Sequence, residues 1–150
     1  MVEERDALLQ HYRKMREELL SAIHGLSDAL MVEPSIDGWS VKDHLLHIAL
    51  WDDLRASEVA RISAGYQSVW RMNGDQDAAY NALAHDLRLA LPLGQARWEI
   101  ATSRQRLLDA ISSAAARGLD ASLYGEAGLH SWHEAQHTGW IRRWRGEKGV

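Results

Sequence analysis

A chain of 150 residues is the length of one domain, and 46% hydrophobic with 25% charged residues is the balance of a folded globular protein rather than a disordered one. A formal net charge of -4 argues against nucleic acid as a partner, and the absence of cysteine excludes disulfides, Fe–S clusters, zinc knuckles and a cysteine nucleophile. The acidic start, Met1-Val2-Glu3-Glu4-Arg5-Asp6, is unlike a signal peptide, and no run approaches the roughly 18 apolar residues of a membrane span, so the expectation is a cytoplasmic protein with no membrane partner.

The first element is an amphipathic helix, with Leu8, Tyr12, Met15, Leu19 and Ile23 on one face, acidic residues in its first turn and Gly25 near its end. Residues 31–39 hold Pro34, Asp37 and Gly38 and read as a loop. Ser40 then reads as an N-cap, with Asp43 in the capping-box position. Val41, Leu45, Ile48, Trp51, Val59 and Ile62 follow, and Leu46, Leu50 and Leu54 widen the apolar arc. This second helix is expected to be the most buried and to end near Gly65.

Residues 66–75 form an irregular connection and 75–90 a shorter helix, which Pro92 breaks. After it Leu93, Ala96, Ile100, Leu107, Leu108 and Ile111 trace another long amphipathic helix, with Ser103 on the same face. Residues 118–128 carry three glycines and read as loop. The last helix is placed at about 129–145, where Arg142, Arg143, Arg145 and Lys148 complement its dipole. No strand-like run and no repeat appears. Four long helices in one domain over 1–150 make an all-α four-helix bundle. The connection from the second long helix to the third is long enough to cross the bundle, which lets those two run parallel.

Eight histidines and seven tryptophans, against no phenylalanine, are the compositional bias. In the last helix His133, His137, Trp140, Ile141 and Trp144 fall on one face, and that face is expected to be core. Two imidazoles one turn apart on a buried face each need partners, and both cannot be charged in a dry interior. A divalent metal resolves the conflict, because each neutral ring offers it a lone pair. The second helix offers His44 and His47 as a third ligand, and helical geometry does not choose between them. A lone histidine in either place also reads as a core or rim residue bonded to a backbone carbonyl. His11, His24 and His85 read as surface residues.

The segment Trp39-Ser40-Val41-Lys42-Asp43-His44-Leu45-Leu46-His47-Ile48-Ala49-Leu50-Trp51 resembles the second-helix signature of the DinB/YfiT-like superfamily, and His133-x-x-x-His137 matches its second ligand pair. Trp70, Asp77-Ala78-Ala79-Tyr80-Asn81 and Trp140-Ile141-Arg142 resemble the ClbS/DfsB-like branch. The resemblance implies an up-down-down-up bundle and a metal site of His47, His133 and His137, and so selects His47 over His44. Three neutral nitrogens leave an open position for catalysis, and zinc, nickel, manganese or iron all suit them. It further implies a hydrolase or thiol S-transferase in which the metal activates water or a low-molecular-weight thiol toward a small electrophilic or toxic molecule. The family also implies a homodimer. The alternative is a non-catalytic bundle that binds or sequesters a small hydrophobic metabolite, with the metal site structural or vestigial.

His133-Glu134-Ala135-Gln136-His137 also spells H-E-x-x-H, the zincin signature, with Glu134 as general base. Only 13 residues follow His137, too few for the usual downstream glutamate helix, and Trp140 stands where the extended metzincin pattern needs glycine. Glu134 is otherwise a proton-handling neighbour of the ligands or a solvent-facing residue. The remaining pocket candidates are His44, Tyr66, Trp70, Tyr80, Asn81, Ser103 and His130, the last one turn before His133 and so a candidate fourth ligand.

Overall fold

A computed structural model describes residues 3–150; Met1 and Val2, part of the stretch read above for targeting, lie outside the described residues. The fold is all-helical. In chain order the helices are α1 (Arg5–Ile23), α2 (Asp28–Val32), α3 (Val41–Ser63), α4 (Gly74–Arg88), α5 (Leu93–Ser113) and α6 (His133–Lys148). Two 3-10 turns, Ala116–Leu119 and Ala121–Leu123, interrupt the α5–α6 connection, and among the described residues the only β pairing is one isolated bridge between Ile36 and Trp39. None of these helices is long and apolar enough to cross a membrane.

The expected caps and faces account for most of the boundaries. Ser40 accepts from the Asp43 amide while the Asp43 carboxylate accepts from the Ser40 amide, so both orphan donors at the start of α3 are satisfied. Gly65, at φ +93°, ends that helix in a conformation natural to glycine. Pro92 stands just before α5, where its missing N–H costs nothing. Asn73 and Gln76 form a second capping box for α4, none of whose residues is buried.

Three boundaries differ from the reading of the sequence. Met31 and Val32 belong to α2, a five-residue helix capped by Ser27 and too short to show a period. The 118–128 stretch is partly 3-10 helix. The last helix begins at His133, not near Leu129, because α1 holds the preceding chain out of helix. The Tyr12 hydroxyl donates to the Leu129 carbonyl and accepts from the Ser131 amide at 3.2 Å. His11 Nε2 lies 2.7 Å from the Ser131 carbonyl, which makes His11 half-buried rather than a surface residue.

Two apolar clusters fill the interior. One gathers Leu8, Tyr12 and Met15 of α1, Val59 and Ile62 of α3, Leu107 and Ile111 of α5, and Leu129. The other gathers Leu19 of α1, Leu45 and Ile48 of α3, Ala96 and Ile100 of α5, and Ile141 and Trp144 of α6. Each of the four long helices contributes a buried charge to a layer near the boundary of the two clusters: Arg16, Asp52, Arg104 and Glu134. Arg16 donates to Asp52 at 2.8 Å and to Glu134 at 2.6 Å; Arg104 donates to both oxygens of Asp52, at 3.1 and 3.0 Å, and to Glu134. The two guanidinium groups and two carboxylates thus bind all four helices through one set of ion pairs, which Arg55 joins at 3.8 Å from Asp52.

Candidate metal centre

His133 and His137 lie in the first turns of α6, one turn apart, with the His133 amide donating to Ser131 Oγ at 3.2 Å. His47 faces them from α3. Its Nε2 is 2.9 Å from His133 Nε2, and His137 Nε2 is also 2.9 Å from that same atom. The potential ligand atoms of the three residues all lie within 4.8 Å of one another. A ring nitrogen carries either one proton or one in-plane lone pair, so His133 Nε2 cannot make two full hydrogen bonds here. Three nitrogens gathered this closely could instead hold a metal ion: zinc–nitrogen bonds of 2.0–2.1 Å set tetrahedral neighbours about 3.3 Å apart.

The environment keeps the rings neutral, as ligation requires. Burial lowers the pKa of His133 to about 4, with Arg55 adding to the effect. It lowers His47 to about 3, where His133 adds to it, and holds His137 further below its ordinary value. Each ring is disfavoured as a cation first by loss of water and then by its neighbours.

His44 stands on the far side of His137. Its Nδ1 is 2.7 Å from His137 Nδ1, opposite the Nε2 that joins the cluster, and burial lowers its pKa to about 4. His44 is therefore adjacent to the centre without facing its focus. Both rings border a cavity of about 320 Å³ walled by Trp39, Trp140 and Trp144. A second cavity, about 210 Å³, adjoins His133 and is lined by Trp51, Arg55, Asp77, Asn81, Glu126 and Ser131.

The other residues singled out in the sequence divide. Trp70 and Tyr80 pack on Trp51, with ring centroids 6.5 and 6.2 Å away, and Trp51 donates its Nε1–H to Asn81 at 2.9 Å. Trp70 is held there by its carbonyl, which accepts from the Glu126 amide; Gly125 passes so close that a Cβ would sit 2.0 Å from that oxygen. Tyr66 is 68% exposed and borders neither cavity. Ser103 is fully buried, 3.5 Å from Asp52 in the charged layer. His130 lies before α6, 3.7 Å from Glu3 and packed on His11 and Trp132, so it is not one turn below His133. Glu134 is neither solvent-facing nor turned to the histidines: it is 3% exposed and both its oxygens are bound by Arg16 and Arg104. Trp140, expected in the core, is 44% exposed, with its ring 4.8 Å from that of His137; Trp144 is buried.

A family model of the DinB superfamily matches residues 11–141. The chain belongs to the DinB superfamily. A crystal structure of an uncharacterised protein from Escherichia coli UTI89 superposes with a TM-score of 0.79 at 16% identity, covering 97% of this chain and 95% of that one, a likeness of fold. No curated protein matches the chain. In this DinB-superfamily chain a group of three histidines able to hold a metal ion thus sits where α3 meets the start of α6.

Sequence reasoning missed two features beside the centre of this DinB-superfamily protein. His85, read as a surface residue, stacks flat on Trp39 at 4.5 Å with its Nε2 3.5 Å from Asp43. Arg55 is 4% exposed; its Nε donates to the Ala127 and Gly128 carbonyls, which fixes the loop leading to Ser131. Asp52 and Arg55, charges at i and i+3 inside the apolar arc of α3, were the available signal.

Proposed function

We propose that this protein is a metal-dependent enzyme, a hydrolase or thiol S-transferase of the ClbS/DfsB-like kind, acting on a small electrophilic molecule. The observation that carries this reading is the convergence of the His47, His133 and His137 Nε2 atoms on one point. A divalent ion there supplies Lewis acidity, which lowers the pKa of water or a thiol and polarises an electrophile. The chain has no cysteine, so a thiol has to come from solution. The residues around the site give it a place to work. Trp51, backed by Trp70 and Tyr80, offers an apolar wall that limits water, while Arg55 and Asn81 offer donors to orient a bound molecule. Glu134 takes no part as a base, because two guanidinium groups hold its carboxylate.

The up-down-down-up order belongs to the same proposal. What supports it is the order in which each helix reaches the two clusters: α1 and the chain into α6 meet the Leu8 cluster first, α3 and α5 meet the Leu45 cluster first.

The test is metal content of protein purified without chelator or affinity tag, wild type beside His47→Ala. Near-stoichiometric metal in the wild type and none in the variant is expected. A wild type that is metal-free and refuses added zinc, nickel and manganese overturns the reading. The second reading, a binding protein for a small hydrophobic metabolite, draws on the tryptophan-walled cavity, whose volume suits a small ligand whether or not chemistry follows.

A further inference from the structure

His44 and His47 are two turn-mates on α3, and the structure separates their roles. A metal at the three-histidine centre takes the Nε2 lone pair of His137, so the ring proton of His137 must lie on Nδ1. The atom 2.7 Å from that Nδ1 is Nδ1 of His44. Two nitrogens at that distance need one proton between them, so His44 Nδ1 must be bare and its own proton must lie on Nε2. His44 Nε2 is buried and has no hydrogen-bond partner among the described residues. Two aromatic rings stand beside the His44 ring instead, Trp39 at 5.3 Å and Trp140 at 6.2 Å. The tautomer is therefore selected from the metal side alone, through a single chain from the centre to His137 to His44.

We propose that His44 is the positioning residue of the metal centre: it accepts the His137 Nδ1–H and thereby fixes the tautomer and the ring plane with which His137 presents Nε2. This rests on the metal-centre reading. His44 takes the place usually filled by a carboxylate or a backbone carbonyl behind a ligating histidine. A neutral imidazole does this without adding a negative charge. The choice suits an interior in which the buried carboxylates of the charged layer, Asp52 and Glu134, are already matched to arginines.

The test is zinc affinity of the full chain by chelator competition, with His44→Phe, His44→Asn and His44→Gln. His44→Phe keeps the ring and loses the acceptor, and is expected to bind zinc about 10–100-fold more weakly at unchanged helical content. Asparagine carries its side-chain oxygen near the Nδ1 position, glutamine near Nε2. His44→Asn is therefore expected to recover most of the affinity and His44→Gln little. In wild-type protein loaded with zinc, ¹⁵N spectra of the histidine rings should show His137 protonated at Nδ1 and His44 at Nε2, a readout that needs no variant to fold. Zinc affinity of His44→Phe within twofold of wild type overturns the proposal, as does a His44 ring protonated at Nδ1. Failure of the metal centre itself is a different result, in which wild type binds no zinc at all.

Discussion

Two polar clusters are buried within a few residues of each other, and they solve burial in opposite ways. In the charged layer each guanidinium of Arg16 and Arg104 meets both Asp52 and Glu134, so every charge has its opposite inside the protein. In the histidine cluster the rings have mainly one another: donors and acceptors of a single type, crowded so that one nitrogen is shared by two neighbours. The first arrangement is complete as it stands and reads as structure. The second has the donor set that could hold a cation at its focus. His133 belongs to the histidine cluster and Glu134 to the charged layer; they are adjacent on α6, and their side chains leave the helix about 100° apart. A buried polar group is thus a functional clue only when its partners inside the fold do not suffice.

That contrast can be broken from either side. The largest effect expected is loss of metal: His133→Ala or His137→Ala should abolish binding, measured by metal analysis, while the helical circular dichroism stays. Next is the charged layer. Arg104→Ala leaves the two buried carboxylates to share the Arg16 guanidinium and should destabilise by about 3–5 kcal/mol in urea melts, with Trp144→Ala in the same range through its cavity.

The third prediction concerns acid. The unfolded chain titrates its histidines near 6.5, whereas burial holds His44 and His133 at about 4 and His47 at about 3 in the folded, metal-free protein. Between those values the unfolded chain binds protons that the folded one refuses. Stability is therefore full above pH 6.5 and declines as the pH falls toward 4. Metal-free protein should lose on the order of 2 kcal/mol for each of these rings between pH 7.5 and 5, read from urea midpoints. A flat profile would mean the rings are not dry. The smallest effect expected is Trp140→Ala, below about 1.5 kcal/mol, because the ring is 44% exposed although it covers His137.

The sequence by itself determined much of the frame. The α3 capping box, the Pro92 break, the apolar faces of α1, α3 and α5 and the one-turn spacing of His133 and His137 are local features, set by residues within a few positions of one another. Spacing left His44 and His47 equivalent, and family resemblance favoured His47; only the packing of α6 against α3 puts the His47 Nε2 at the focus and His44 behind His137. Periodicity likewise could not see that Tyr12 pins residues 129–131 and delays α6 by a turn, which removes His130 from the site. Nor could it see that Glu134 faces two arginines from other helices, or that Trp140 lies at a rim. Each of these depends on a partner distant in the chain. Helical faces follow from side-chain pattern, but which polar group meets which is settled only when the helices dock and water is squeezed out between them.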